Sequence, residues 1–548
     1  MVNSTSKQLR KVCIAGISLL AIFSFIVMLG QFSDWTRVIP GVVTLLVLAT
    51  LVAFVGLAQS LQVQPSGHKR LLFIIVSIAL GLRGAAIFTV PILEVDYYRY
   101  LWDGKVLAKG ISPYAYSPAQ VLLADNANTR DDYQQAVFMS IESDSNYTIL
   151  QRVHFPEYTT IYPPVSQLVF ASAMKWFPAH ASVSAHVTFM KFVLLIFDVL
   201  TLGLLLKLLA RRGHSPGWSI AYAWNPLVIK EVANTGHLDS IAVFFLVAAV
   251  YFAATWLSKS ADSRKTWPLW TCGLSLALGF GAKLFPVILL PLFVVGFAKV
   301  RWASALVFLI AFAIPAGGIC WVMAQSMGDR EHTQQHFAAK PDQQSKEGLA
   351  GFLGSWRMND VIFSGIYRNL KPSSDTVDHE PWYVLLKNDH RTGFDQWLRQ
   401  KSIGGANPAF AVSRLITLAV FGFFYAFMLY KTYRSEHSLA IENYVWVLTV
   451  FLFLQPTVNP WYWLWVAPLT CFANHKGWMF VSGLLMIYYL RFWFRGLPDS
   501  YSFGGGAYHG AGLFDHGVAW LEFAAIVAVI LWIRLTRSES PEQIAHSE

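Results

Sequence analysis

The sequence predicts an all-α membrane protein that crosses the bilayer many times. Hydrophobic residues make up 55% of its 548 positions and charged residues only 14%, and the mean hydropathy is +0.45. Soluble domains contain about 25% charged residues, so this composition indicates a polytopic membrane protein. Four cysteines lie in apolar runs without close pairing, which supports neither a disulfide framework nor a zinc site: Cys13, Cys272, Cys320 and Cys471.

The positive charge of the chain fits the same class. The formal net charge is +10, and the lysines and arginines occur in small groups between apolar runs. This arrangement is typical of the basic loops that orient membrane proteins. Nucleic acid is therefore not expected as a partner.

Apolar runs long enough to span a bilayer recur along the whole chain. A window of about 20 residues yields about fourteen predicted spans. The first follows Lys7, Arg10 and Lys11 and lacks a convincing cleavage site, so we expect it to be retained. The predicted spans cover residues 12–31, 38–60, 70–92, 187–210, 217–233, 238–258, 267–283, 284–298, 302–325, 410–431, 442–458, 461–474, 477–494 and 517–535.

One further segment, Pro163 to Pro178, has a borderline length, and the positive-inside rule decides its placement. If it crossed the membrane, Lys207, Arg211 and Arg212 would lie outside and every later basic loop would be inverted. If it lies flat in the interface, the basic loops all fall on the side of the N-terminus. We therefore expect both termini in the cytoplasm of a multi-pass inner (plasma) membrane protein.

This topology divides the chain into four parts. We expect two N-terminal spans in residues 1–70 and a core in residues 71–325 that includes a large extracytoplasmic loop, 93–185. A second extracytoplasmic loop covers residues 326–409, and C-terminal spans fill residues 410–548. Both loops are expected to cover a cavity on the outer face, and the first to contain helices that lie along the interface.

Two acidic residues stand where the third span leaves the membrane. Glu94 and Asp96 follow the apolar run directly, and the aromatic and basic residues after them, including Tyr97, suit a helix at headgroup depth. Charged groups at membrane depth are costly and usually functional. The sequence therefore predicts a carboxylate held over the membrane surface, where it could meet a lipid-borne substrate.

A second polar group is expected on the same face. The span at 217–233 runs outward and ends in KEVANTGHLD. Its polar residues could form a second wall of the site that binds an acceptor or sugar, or only a polar turn between two helices: Glu231, Asn234, His237 and Asp239. Trp461 allows two interpretations in the same way, as part of an interfacial aromatic belt or as a sugar-stacking surface. Tyr97 is a further candidate for binding the acceptor or sugar.

Four cationic residues are candidates for binding a phosphate on the outer face. Lys283 lies where an outward span turns back, and it could meet a lipid phosphate or extend to the interface. Arg491 and Arg495 end an outward span against the positive-inside trend. Arg357 lies in the second loop, at the start of a helix predicted between Gly354 and Leu370.

Several segments in order carry a resemblance to a known family. They are DYYRYLWDGKVLAKGISPYAYSP, IYPPVSQLVFA, NPLVIKEVANTGHLDSIAVFFLVAAVYFA, KLFPVILLP and NPWYWLWVAPL. Together they resemble the GT-C superfamily of integral-membrane glycosyltransferases. Within it, the chain is most similar to bacterial polyprenyl-phosphate-mannose-dependent mannosyltransferases and glycosyltransferase family 87. The resemblance extends from about Leu71 to Phe472.

This resemblance implies the GT-C fold, in which the first outer loop holds a catalytic acidic residue between juxtamembrane helices. It implies an inverting enzyme that takes a sugar, mannose in the nearest relatives, from a polyprenyl-phosphate donor. The acceptor would be a lipid-linked glycan or a polysaccharide. Asp96 best matches the acidic position, with Glu94 beside it. The pattern is E-x-D instead of the D-D or D-E of some relatives, so either carboxylate could act. The two spans before Leu71 are an extension of the usual fold.

The chemistry of such a transfer needs a base and a cation. A carboxylate that accepts the proton of the incoming hydroxyl typically contributes about 10²–10⁴ in rate, and a cation stabilises the departing phosphate. A glycosidase would need two carboxylates on either side of the bond, and Glu94 and Asp96 are too close in sequence for that. No cofactor is expected. A divalent cation is compatible with the chemistry, but no ligand spacing indicates one.

Two other classes remain as alternatives. A lipid or sugar flippase or transporter also has many spans and intramembrane polar groups, but its site lies near the midplane. Here the polar groups gather at one face. An O-antigen-type polymerase or ligase also has a large outer loop, but would depend on basic residues there. The clearest signal in this chain is acidic and lies in the first loop.

Overall fold

The computed structural model describes residues 2–32, 35–124, 144–336, 346–373, 380–436, 439–497, 501–503, 506–508 and 510–536. These residues are mainly helical, which confirms the all-α class. Among them, β1 (Tyr501–Phe503) and β2 (Gly506–Tyr508) form one short antiparallel hairpin. Parts of both predicted loops, 125–143, 337–345 and 374–379, lie outside the described residues.

Eight segments are long and apolar enough to cross a membrane: Ser4–Gly30, Val38–Ser60, Pro65–Ile87, Val183–Arg211, Asp239–Leu257, Trp302–Ser326, Pro408–Arg434 and Gly510–Leu535. The chain is therefore a polytopic membrane protein, while the predicted number of spans, about fourteen, stays a prediction. The other predicted spans form shorter or interrupted helices. Proline contributes to this, because it removes a backbone donor and clashes with the preceding turn.

The helices of the N-terminal half begin with α1, which packs against both α2 and α3. Their bounds are α1 (Val2–Phe32), α2 (Trp35–Ser60), α3 (His68–Ile87), α4 (Tyr97–Ala108), α5 (Pro118–Ala124), α6 (Asp144–Gln151), α7 (Pro164–Trp176), α8 (Val183–Arg211), α9 (Ile220–Ala223), α10 (Pro226–Val228), α11 (Asp239–Leu257), α12 (Trp267–Ala282) and α13 (Leu290–Val300). A π-helical turn, Ile229–Asn234, follows α10, so the predicted span at 217–233 is a series of short helical pieces.

The close contact between α4 and α7 fixes the first loop. A Cβ atom on Gly104 would lie 2.6 Å from the carbonyl oxygen of Phe170, so only glycine allows this approach. The ring of Tyr100 stacks on that of Phe170 with centroids 4.8 Å apart. The chain that leaves α3 is therefore held against α7 within one turn of Asp96.

A buried ion pair ties α3 to the centre of the bundle. Arg83 Nε lies 2.5 Å from Asp198 Oδ2, and the Tyr222 hydroxyl donates to Asp198 Oδ1 at 2.6 Å. Arg83 also donates to the carbonyl oxygen of Ala223 at 2.7 Å. Charges buried among apolar helices need such partners, so this contact fixes α3, α8 and α9 relative to each other.

The second predicted loop connects the first predicted loop to the C-terminal half. The backbone of Lys346 pairs with that of Tyr158 in an isolated parallel β-bridge, and Met358 pairs with Thr457 in the same way. The C-terminal helices are α14 (Trp302–His336), α15 (Gly348–Ser355), α16 (Val361–Leu370), α17 (Asn388–Gln400), α18 (Pro408–Arg434), α19 (Ile441–Phe453), α20 (Ala467–Thr470), α21 (Trp478–Leu485), α22 (Leu490–Arg495), α23 (Gly510–Leu513) and α24 (Ala519–Leu535). The predicted helix between Gly354 and Leu370 is thus two helices, α15 and α16.

Candidate active site

Glu94 lies on the non-helical stretch between α3 and α4 and faces inward. Leu93, just before it, has φ 55°, a left-handed conformation that is costly for a leucine and often occurs at functional sites. Glu94 Oε1 accepts hydrogen bonds from the backbone N–H groups of Val95 at 2.8 Å and Asp96 at 2.9 Å. The side chain is only 8% exposed, so Glu94 is a fixed, buried carboxylate.

Asp96 immediately precedes α4 and is half-buried. The hydroxyl of Tyr162 donates to Asp96 Oδ2 at 3.3 Å. Burial and then the negative charge of Glu94 raise the pKa of Asp96 to about 7, against the opposing charges of His237 and Lys283. A carboxylate with a pKa near neutrality is suited to accept a proton and release it again.

Glu94 has the opposite electrostatic environment. Burial acts to raise its pKa, but the contact with His237 and the charge of Lys230 outweigh burial and lower the pKa to about 2. Two carboxylates with separated pKa values commonly have separate roles in one site. Here Glu94 stays ionised while Asp96 titrates.

The predicted second wall does lie beside these carboxylates, but it is buried. His237 Nε2 lies 3.5 Å from Glu94 Oε2 and 3.3 Å from Glu231 Oε2, and the ring of His237 stacks on that of Trp461 with centroids 4.6 Å apart. Its two carboxylate neighbours raise the pKa of His237 to about 9 despite burial, so it is a cation at neutral pH. The role of Glu231 and His237 in binding an acceptor stays a prediction, and their burial favours a supporting role.

Asp239 and Lys283 form the other side of the site. Lys283 Nζ lies 2.7 and 2.8 Å from the two carboxylate oxygens of Asp239, and 4.6 Å from the centre of the Tyr462 ring. Trp465 Nε1 donates to Asp239 Oδ1 at 2.5 Å. The Lys283 side chain is 20% exposed, so this cation reaches the site while Asp239 remains buried behind it.

Asn234 and Tyr97 support the backbone around the carboxylates. Asn234 accepts from the N–H of Ile92 at 2.9 Å and donates to Thr89 Oγ1 at 2.6 Å and the carbonyl of Val90 at 3.0 Å. These three bonds hold the stretch that leads to Glu94. The ring of Tyr97 is buried and packs on that of Tyr98, with centroids 4.4 Å apart.

The three arginine candidates differ in their partners. Arg357 Nε lies 2.7 Å from Asp360, and Arg491 contacts both carboxylate oxygens of Asp515 at 2.7 and 2.9 Å. Arg495, at the end of α22, is exposed and forms no ion pair with the residues that the structure describes. Of the four predicted cations, Lys283 is the one whose charge acts directly on Asp96.

Sequence reasoning missed several residues that complete the site. Lys230 Nζ lies 3.2 Å from Glu231 Oε2 and 2.7 Å from the Tyr489 hydroxyl, and that hydroxyl donates to Glu231 Oε1. A lysine inside an apolar run next to Glu231 was a signal for Lys230. Nothing in the sequence distinguished Tyr489 or Tyr162 from other aromatic residues.

The arrangement of these side chains is suited to proton transfer. Within the described ranges, no group of three or more His, Cys, Asp or Glu side chains is placed to hold a metal ion. The site consists of one carboxylate that titrates near neutral pH, one fixed carboxylate, and a cation, Lys283, whose charge acts on the first carboxylate. It therefore combines a base with an electrostatic partner at the end of an apolar bundle.

These features define a polytopic membrane protein with a carboxylate site at one end of its helices. The chain belongs to the alpha-(1->6)-mannopyranosyltransferase family: residues 22–299 match the N-terminal domain of that family. Residues 402–507 match the MptB C-terminal domain. The family predicted from the sequence is thus confirmed. The two matches contain every candidate site residue except Arg357.

One curated relative shows the same affiliation. The chain is 25% identical over 402 residues to alpha-(1->6)-mannopyranosyltransferase B of Corynebacterium glutamicum. The alignment covers 70% of this chain and 56% of the relative, so the chain spans little more than half the length of that protein. No solved structure matches the chain.

Proposed function

We propose that this protein is a membrane mannosyltransferase that transfers mannose from a polyprenyl-phosphate donor to a glycan or glycolipid acceptor on the extracytoplasmic face. The family membership supports mannosyl transfer. The polytopic fold supports a lipid-borne donor, because the candidate site lies where the chain leaves an apolar helix. If the enzyme inverts the anomeric centre, the α linkage in the family description requires a β-linked donor.

Asp96 is the general base of this proposal. An acceptor hydroxyl would give its proton to the Asp96 carboxylate as its oxygen forms a bond to the anomeric carbon of mannose. The bond from that carbon to the phosphate oxygen breaks at the same time, and polyprenyl phosphate leaves. The observation behind this role is the half-buried Asp96 carboxyl, whose pKa of about 7 contrasts with that of Glu94.

Lys283 would stabilise the departing phosphate. Its amino group is partly exposed, lies against Asp239, and acts electrostatically on Asp96. A fixed cation near developing negative charge is a large contribution to catalysis in a site with little water. Arg495 remains a further candidate for binding the donor phosphate. Arg357 and Arg491 are also candidates if they exchange their carboxylate partners for phosphate.

The decisive experiment measures transfer from a synthetic polyprenyl-phosphate [14C]mannose to an octyl α-(1→6)-mannobioside in membranes that contain the protein. Asp96→Asn should reduce transfer by about 10²–10⁴ while protein level and insertion stay normal. Glu157→Gln, a half-buried carboxylate on the same loop, is the control and should retain transfer. Full transfer by Asp96→Asn would refute the base assignment. Movement of the donor across vesicles without a new glycosidic bond would favour a flippase.

The outer location of the site is tested separately. In a cysteine-free background, Lys109→Cys places one thiol at an exposed position just after α4. An impermeant maleimide should label it in intact cells. Labelling only after the membrane is opened would place the first loop in the cytoplasm and contradict the proposed orientation.

A further inference from the structure

Four buried groups of alternating charge lead from the interior of the bundle to Asp96. Lys230 lies 3.2 Å from Glu231, Glu231 lies 3.3 Å from His237, and His237 lies 3.5 Å from Glu94. Glu94 in turn accepts the backbone N–H of Asp96 at 2.9 Å. We refer to Lys230, Glu231, His237 and Glu94 as the charge chain.

The first three members of the charge chain are shielded from solvent. The side chains of Lys230 and His237 are each 1% exposed, and that of Glu231 is fully buried. Lys230 borders two small cavities whose other walls are mostly aliphatic residues of α1, α2 and the stretch before Glu94. Burial to this degree favours a supporting role over direct contact with substrate. Burying charges is costly, and such a network is retained only if each member has a partner.

We propose that Lys230, Glu231 and His237 are positioning residues whose alternating charges hold Glu94 as a fixed carboxylate beside Asp96. This inference rests on the proposed function, in which Asp96 accepts the proton. The lysine stabilises the Glu231 carboxylate, and that carboxylate stabilises the histidine cation. The cation holds the Glu94 carboxylate in place by an ion pair and offsets part of its charge, so that Glu94 raises the proton affinity of Asp96 only into the range that a general base needs.

The net charge of the chain makes the proposal testable. With two cations and two carboxylates the chain is neutral. The charged groups that act on Asp96 are Glu94 from its own segment, His237 from the turn before α11 and Lys283 from the end of α12. The hydroxyls of Tyr162, Tyr100 and Tyr462 also face it, and they are neutral in the pH range of the assay. Removing one cation leaves an excess negative charge near Asp96, so Asp96 should hold its proton to a higher pH.

The experiment is the pH dependence of kcat/KM with the mannosyl donor and mannobioside described above. His237→Gln should move the acidic limb of the profile upward by about 1 pH unit, because the His237 charge lowers the pKa of Asp96 and a neighbouring charge typically moves a pKa by about 1–3 units. Lys230→Met should move it in the same direction by less. The double variant Lys230→Met/Glu231→Gln removes one charge of each sign and should return the limb toward that of the unmodified protein.

A matched control separates charge from packing. Lys191 is also a lysine with 1% exposure, but its amino group donates to the backbone carbonyls of Thr89 at 2.8 Å and Ala86 at 3.4 Å. Lys191→Met should therefore leave the acidic limb in place. A purely structural role for the charge chain predicts that the double variant is at least as impaired as Lys230→Met, with no return of the limb.

The outcomes distinguish this inference from the proposed function. If Asp96→Asn abolishes transfer but the acidic limb is the same in His237→Gln, Lys230→Met and the unmodified protein, the charge chain has no influence and the inference is wrong. If Asp96→Asn retains transfer, the base assignment itself fails. If Lys230→Met does not insert, His237→Gln alone still decides between these results.

Discussion

The substitution Glu94→Gln tests how the two carboxylates divide their roles. It removes one negative charge at nearly constant size, and the glutamine oxygen can still accept the N–H groups of Val95 and Asp96. Glu94 Oε1 lies 2.9 Å from the backbone nitrogen of Asp96, so the Glu94 charge acts on the Asp96 carboxyl at short range, where a neighbouring charge typically moves a pKa by about 1–3 units. Part of this is offset because His237, which acts in the opposite direction, also loses a partner. We expect the pKa of Asp96 to fall by about 1 unit.

The sign of the effect follows from the role of a base. Asp96 must be ionised to accept a proton, so transfer by the unmodified protein should decline as the pH falls through about 7. In Glu94→Gln the decline should occur at lower pH. At about pH 6 the variant should then keep a larger share of its own maximal rate than the unmodified protein. Its maximal rate should be lower, because a carboxylate of lower pKa is a weaker base.

The assay is kcat/KM for mannosyl transfer from about pH 5 to pH 9, compared for Glu94→Gln, Glu157→Gln and the unmodified protein. Glu157→Gln should reproduce the unmodified profile. An acidic limb that stays in place or moves upward in Glu94→Gln would refute the electrostatic argument. If Glu94→Gln abolished transfer as completely as Asp96→Asn, Glu94 would be a candidate for the base.

Three further predictions concern packing, stability and the donor phosphate. Gly104→Ala should lower transfer, because the new Cβ atom would lie 2.6 Å from the backbone of α7. The control Gly84→Ala should leave transfer unchanged, because there is open space around its Cβ position. Insertion assays would show that both variants reach the membrane. Arg83→Met should lower the free energy of unfolding by about 3–5 kcal/mol, since it removes the cation paired with the buried Asp198 carboxylate. Denaturation by sodium dodecyl sulfate would measure this loss, and an unchanged denaturation midpoint would contradict it. Lys283→Met should reduce kcat by about 10²–10³, and Lys283→Arg should restore part of it; an equal loss in both variants would argue against a role of charge.

The sequence was sufficient to locate the carboxylates. Glu94 and Asp96 directly follow an apolar run, and the positive-inside rule placed the Glu231 to Asp239 segment on the same face. The 3.5 Å contact between His237 and Glu94 confirms that these two segments meet. Such positions depend on the order of apolar and polar segments along the chain, which a sequence shows directly.

The burial of the second segment was not predictable in this way. Hydropathy shows where a span ends but not which of its polar side chains face inward. Lys230 and Tyr489 illustrate the limit, because 259 positions separate them and only the packed structure shows that their side chains touch. The interruption of residues 217–234 into short helical pieces also depends on packing, since the broken turn lets Lys230, Glu231 and Asn234 all contact neighbouring segments.

The E-x-D spacing explains how two neighbouring carboxylates acquire different environments. Leu93 has a left-handed backbone conformation, and Glu94 after it turns inward to His237 and accepts the N–H groups at the start of α4. Asp96 lies one position before α4 and contacts the hydroxyl of Tyr162 on the first loop. The two charges are close enough to interact, yet among the residues that the structure describes only Glu94 has a cationic neighbour within ion-pair distance. In the proposed transfer, an attack by one hydroxyl on a phosphate-activated sugar requires a single proton acceptor, so the second carboxylate would serve the reaction best by staying ionised and raising the proton affinity of the first.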